Sequence, residues 1–79
     1  MKVQLIDGQF TSQEALDILT QMIHVKIKFH EGKINNTTTE EDIKWREQKI
    51  KNLQKSLYEV RQEIEKQTNN IHIVAEVSF

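Results

Sequence analysis

The chain has 79 residues, 37% of them hydrophobic and 29% charged, with no cysteine and a formal net charge of -1. That length allows one domain with a core worth only a few kcal/mol; without cysteine, neither disulfides nor thiolate-bound metal reinforce it, and association becomes the expected helper. The near-zero charge speaks against a general nucleic-acid binder, and no apolar run approaches the roughly 20 residues of a membrane span or forms a signal peptide, so a soluble cytoplasmic protein is expected.

Residues 2–8 read as a strand, because Val3 and Leu5 alternate with Lys2 and Gln4. Asp7-Gly8 suggests a turn or bulge near its end. Thr11 with Glu14 makes a capping box, and Phe10 stands where it can staple onto Ala15. A helix is expected over residues 12–31, closed by Gly32 in the left-handed position.

Within it, Ile23, Val25, Ile27 and Phe29 alternate with His24, Lys26, Lys28 and His30, which taken alone is a strand pattern. No Gly, Pro, Asn or Ser lies between Gln13 and Glu31 to turn the chain, and the helix is the consistent reading. Wound at about 100° per residue, the segment carries an apolar arc of roughly 200°. Leu16, Leu19 and Ile23 lie in that arc. One partner helix covers about half of it, so a second contact on these residues is expected.

Residues 32–39 form a polar loop, in which Thr37 with Glu40 and Thr38 with Glu41 offer overlapping capping boxes. A helix is expected over residues 40–68. Its apolar residues Ile43, Ile50, Leu53, Leu57, Val60 and Ile64 follow a heptad seam after a first step of seven. Trp45 and Tyr58 flank opposite edges of that seam, where aromatics commonly seal an interface. Asn69-Asn70 ends the helix. Residues 71–79 alternate again and read as a half-buried strand.

The expected fold is α+β in the order β-α-α-β: an antiparallel helical hairpin packed on a small antiparallel sheet of the terminal strands. Two strands make a weak sheet. A twofold homodimer supplies four strands and four helices and covers the excess arc, so dimerisation is expected to complete the fold.

Lys26 and His30 fall inside the apolar arc, four residues apart, and a hairpin closed near residue 35 sets Lys26 opposite Arg46 and Glu47 and His30 nearer Ile43 and Glu40. The plain reading is a Lys26–Glu47 ion pair with a hydrogen-bonded His30, fixing helix register. The functional alternative is a polar pocket at Lys26, His30, Arg46 and Glu47 that holds an anion or a small acidic ligand. A third possibility is weak nucleic-acid binding by the run Lys44, Arg46, Lys49, Lys51 and Lys55, with Trp45 for stacking. His24, His30 and His72 lack metal-ligand spacing, no Gly-rich loop or nucleophile set is present, and neither enzyme activity nor a cofactor is expected. The first function class is therefore a non-enzymatic protein-protein interaction module.

The run from Ile6-Asp7-Gly8-Gln9-Phe10-Thr11-Ser12-Gln13-Glu14-Ala15 through Ile18-Leu19 and Met22-Ile23 to Lys26-Ile27-Lys28-Phe29-His30 resembles a group of small bacterial proteins, largely from Bacteroidetes. These carry an F-[ST]-x-x-E/D-A-x-x-I-[LI] segment followed by K-I-x-F-H. The resemblance implies a helix across residues 23–29, a longer charged helix after it and a closing alternating strand. It places Lys26, Phe29 and His30 in a shared pattern and brings no activity with it.

Overall fold

The computed structural model describes residues 1–79. Its elements in chain order are β1 (Lys2–Phe10), α1 (Ser12–Asn35), α2 (Glu40–Glu65) and β2 (Ile71–Ser78). The two strands pair antiparallel, and the two helices fold back on one another through residues 36–39. The β-α-α-β order and the α+β class read from the sequence are those of the molecule.

β1 is longer than expected. Asp7 and Gly8 do not turn the chain; they pair in register with Val74 and Ile73. The irregularity lies earlier, where Gln4 faces Glu76, Ile6 faces Ala75 and Leu5 is the extra residue. Such a bulge shifts the alternation by one. Val3 and Ile6, three apart in sequence, thereby share a face with Phe10, opposite Val77, Ala75 and Ile71.

The capping box at the start of α1 forms as read. The Thr11 Oγ1 accepts from the Glu14 amide at 3.2 Å, and the Thr11 amide donates to Glu14 Oε1 at 2.9 Å. Thr11→Ala removes the first bond and is expected to lower stability by about 1 kcal/mol, with Thr11→Ser keeping most of it. Urea melts followed at the helical ellipticity check this, and identical midpoints for all three chains would mean the cap is energetically silent.

The hairpin differs from expectation at its closed end. α1 runs to Asn35, because Gly32 keeps a negative φ and is an ordinary helical residue. Ile34 carries the seam of Ile23 and Ile27 two turns further, and that burial outweighs the roughly 1 kcal/mol cost of a helical glycine. The side-chain amide of Asn36, not Gly32, closes the helix by donating to the Gly32 carbonyl at 3.0 Å. Neither expected capping box forms at α2. Its cap is Thr39, which makes no side-chain cap bond, while Thr37 Oγ1 accepts from the Thr39 amide at 3.3 Å. Glu40, Glu41 and Asp42 in the first turn suit the helix dipole instead. At its other end α2 stops at Glu65 rather than residue 68, and residues 66–70 link it to β2.

These shifts move the point where the chain folds back from the middle of residues 32–39 to the middle of residues 36–39, two residues later, so every cross-hairpin pairing slides by about four residues, or one turn.

The core sits at the open end of the hairpin. Ala15, Ile64 and Ile73 are the only buried residues, with Ile6, Phe10, Leu16, Ile18, Leu19, Val60 and Ile71 packed around them. The sheet therefore holds the hairpin through Phe10, Ile71 and Ile73, while Leu5, Val77 and Phe79 nearer its far end are exposed. From Ile23 and Ile27 to Ile50 and Leu57 the helical seam is only half-buried. The molecule is flat and extended, 46 × 33 × 13 Å, with a radius of gyration of 15.2 Å, against about 12 Å for a compact chain of this length. It exposes 6177 Å², where a compact monomer of this size exposes about 5,000 Å². No helix is long and apolar enough to cross a membrane.

Candidate functional site

The step of seven from Ile43 to Ile50 skips one seam position, and Arg46 occupies it. Its side chain is 16% exposed. From the facing helix, His30 stands in the matching seam position of α1 and is half-buried. Arg46 Nη1 lies 3.0 Å from His30 Nδ1, and Arg46 Nε lies 3.3 Å from Asp42 Oδ2. A guanidinium only donates, so Nδ1 accepts and the neutral ring carries its proton on Nε2. The seam thus contains one polar layer, Asp42–Arg46–His30, in which the cation has a carboxylate partner.

Aromatic rings surround this layer. Trp45 meets His30 edge-on, with centroids 6.0 Å apart at 79°, and Phe29 does the same at 5.7 Å and 70°. The Arg46 guanidinium carbon lies 5.3 Å from the Trp45 centroid and 5.9 Å from that of Phe29. Lys49 Nζ stands 5.3 Å over Trp45, and Lys33 Nζ 5.6 Å over Phe29. Cations within about 6 Å of a ring face are held by its quadrupole, and at exposed positions each contact is worth about 0.5–1 kcal/mol. Phe29 and Trp45 nevertheless keep more than half of their surface open to solvent. The loop end of the hairpin therefore offers two exposed aromatics ringed by positive charge.

This geometry separates packing from polarity at Arg46. Arg46→Ala is expected to cost about 1–2 kcal/mol, because it empties a seam position and leaves Asp42 and His30 without their donor. Arg46→Met refills the seam, and its stability is expected within about 1 kcal/mol of the parent or above it. Urea midpoints decide between the causes. A methionine variant as weak as the alanine variant places the cost in the lost hydrogen bonds rather than in packing.

Of the four residues expected to make a polar site, the structure joins two. His30 and Arg46 are in contact, whereas Lys26 and Glu47 are both exposed and do not pair. The expected Lys26–Glu47 bridge is absent because the later fold-back sets Lys26 against the turn that carries Lys49, Asn52 and Leu53. Lys26 is not a buried cation and needs no partner. Asp42 and Lys33 also belong to the cluster and were not read as part of a site, while Lys49 was read only within the basic run and Phe29 only within the resemblance. Their signal is regular: Phe29 with Lys33, Asp42 with Arg46, and Trp45 with Lys49 are all four residues apart, the spacing that brings helical side chains together.

The expected interface residues divide in the same way. Leu16 and Leu19 pack on the Ala15–Ile64–Ile73 core, and Ile23 is half-buried in the seam. The uncovered stripe of α1 consists instead of Met22, Val25 and Phe29, which are 37%, 67% and 58% exposed. Trp45 and Tyr58 on α2, expected to seal an interface at the seam's edges, are exposed within the single chain.

The basic run does not form one patch. Arg46 is turned inward, Lys49 lies on Trp45, and Lys44, Lys51 and Lys55 point to a face about a quarter turn from Trp45.

A second cluster lies on the polar face of the sheet. His72 Nε2 lies 2.9 Å from Asp7 Oδ1, and Gln9 Nε2 lies 2.8 Å from His72 Nδ1. The glutamine amide donates, so Nδ1 accepts and Nε2–H donates to the aspartate. Both ring nitrogens are engaged, and the trio acts as a cross-strand clamp. No group of three His, Cys, Asp or Glu side chains is arranged to hold a metal ion. No protein-family model, curated protein or solved structure matches the chain.

Proposed function

We propose that the protein is a non-enzymatic cytoplasmic interaction module that acts as a homodimer, the second copy lying antiparallel across Met22, Val25 and Phe29 of α1. The observation that carries this reading is the burial of only Ala15, Ile64 and Ile73 among 79 residues. Such a core leaves the middle of the hairpin with no element beside it, and domains are held by packing one apolar layer on another.

Charge supports the orientation. The half of the hairpin nearer the loop, residues 24–35 and 40–51, carries seven lysines and arginines against five carboxylates, whereas the open half, residues 12–23 and 52–66, carries three against five. A parallel pairing sets like charges together; an antiparallel twofold sets each basic end on its partner's acidic end. Trp45, Tyr58 and the outer strand edges then remain for a different protein. Size-exclusion chromatography with light scattering tests the reading. A mass of two chains at micromolar concentration supports it, and a monomer at hundreds of micromolar sinks it.

A further inference from the structure

Beside the Asp42–Arg46–His30 layer, the two helices leave an open groove of about 220 Å³ lined by Lys26, His30, Lys49, Asn52, Leu53 and Ser56. We infer that this groove binds a phosphate group. α1 contributes Lys26 and His30, α2 contributes Lys49, Asn52 and Ser56, and the half-buried Leu53 lies among them.

The hydrogen-bonding capacity of the lining is one-sided. Neither Lys26 nor Lys49 takes part in any of the four ion pairs of the molecule. His30 gives its Nδ1 lone pair to Arg46, which leaves Nε2–H as a donor without a protein partner. Asn52 uses its Oδ1 to accept from Gln48 at 3.0 Å, so the Nδ2 hydrogens are its free end. The Ser56 hydroxyl is unpartnered within the chain. The groove thus presents two cations and three neutral donors, and no carboxylate lines it.

Lys26 and Lys49 line the groove with no carboxylate among its residues, and Lys49 Nζ otherwise rests over the Trp45 ring. A doubly charged tetrahedral oxyanion supplies the missing counter-charge and has enough oxygens to accept from all five donors, whereas a carboxylate carries one charge and two oxygens. The neighbouring Arg46 is already satisfied by Asp42 and stays outside the ligand set. The inference does not rest on dimerisation, since both walls of the groove belong to one chain.

Titration of the labelled full chain with sodium phosphate, followed by amide NMR at constant ionic strength, is the test. Sodium chloride serves as the control, and phenyl phosphate serves as a small monoester. Saturable shifts confined to the neighbourhood of residues 26, 30, 49, 52 and 56 are expected. Lys49→Gln is expected to weaken binding at least fivefold, and Lys26→Gln with Lys49→Gln to abolish it. Both lysines are exposed, and an unchanged circular dichroism spectrum verifies that the variants fold. Tighter binding of phenyl phosphate than of inorganic phosphate assigns the site to a phosphate carried on a larger molecule; equal binding assigns it to the free ion. Shifts spread over the lysines at large, failure to saturate, or equal affinity in the double variant overturns the inference and marks an adventitious ion only. A chain that proves monomeric yet binds phosphate leaves this inference standing while removing the dimer.

Discussion

Ile64→Ala is expected to leave much of the chain unfolded at ambient temperature. Ile64 is one of three buried residues and touches the same cluster as Ala15 and Ile73. Truncating a buried isoleucine costs about 2–4 kcal/mol, through lost transfer free energy and the cavity left behind. A chain below about 80 residues holds only about 3–5 kcal/mol in its whole core. The substitution therefore removes a large share of the total, and the better helix propensity of alanine returns only a few tenths of a kcal/mol. The sheet is expected to loosen first, because Ile71 and Ile73 join the hairpin at that place. Leu57→Ala is the comparison. Leu57 has the seam spacing of Ile64 but is only half-buried, and its truncation is expected to cost about half as much. Urea melts of both variants, together with hydrogen exchange of the β2 amides, check the ranking. Equal costs would relocate the core from the open end to the whole seam.

That ranking could not have been read from periodicity alone. Leu57 and Ile64 occupy equivalent steps of one heptad pattern, and the pattern is silent on which end a third element covers. The elements themselves were legible because each has a different physical marker. Thr11 and Glu14 mark where strand gives way to helix, the three-four spacing from Ile50 to Ile64 marks α2, and the two-residue alternation after Asn70 marks β2. The stretch from Ile23 to Phe29 satisfies both periods. The missing breaker decided it, and α1 runs through it unbroken.

Errors gathered at the closed end, where Gly32 and the threonines are strong local signals that tertiary packing overrode. Ile34, seven residues after Ile27, continues the seam, and that long-range pairing outweighed the glycine's preference for a left-handed cap. The candidate site was half visible for the same reason. His30 is a polar residue at an apolar position and is conspicuous as such, whereas Arg46 entered the reading only as a residue across the hairpin and in the basic run. Which facing position each one meets depends on the fold-back point, and an error of about two residues there replaced Lys49 by Glu47 as the neighbour of Lys26.

Val25→Asp combined with Phe29→Asp is expected to turn a dimer into a monomer and to lower the melting temperature with it. Both residues lie on the uncovered stripe of α1 and stay clear of the Ala15 cluster. A charge at Val25 meets water in the monomer and apolar surface in the dimer, so its penalty falls on the associated state, whereas Phe29→Asp also takes from the monomer the ring contacts with His30, Arg46 and Lys33, and Val25→Asp alone separates the two costs. Stability of an associating chain rises with concentration by mass action. The parent's melting temperature should therefore climb on going from about 1 to 100 μM, and the variant's should stay flat. The only tryptophan, Trp45, is 51% exposed and reports locally. If the partner's hairpin lies over the neighbouring Phe29, Trp45 emission shifts to shorter wavelength as the parent is concentrated, and the variant shows no such shift. Salt separates the two contributions. Apolar contact survives about 1 M salt, where the Debye length is near 3 Å, whereas pairing of the basic loop end with the acidic open end weakens. An antiparallel dimer is thus expected to loosen with salt without dissociating completely. Association that strengthens monotonically with salt would retain the stripe and discard the antiparallel orientation. A double variant that still dimerises would discard the stripe itself, and would move the contact to the half-buried seam or to the outer strand edges.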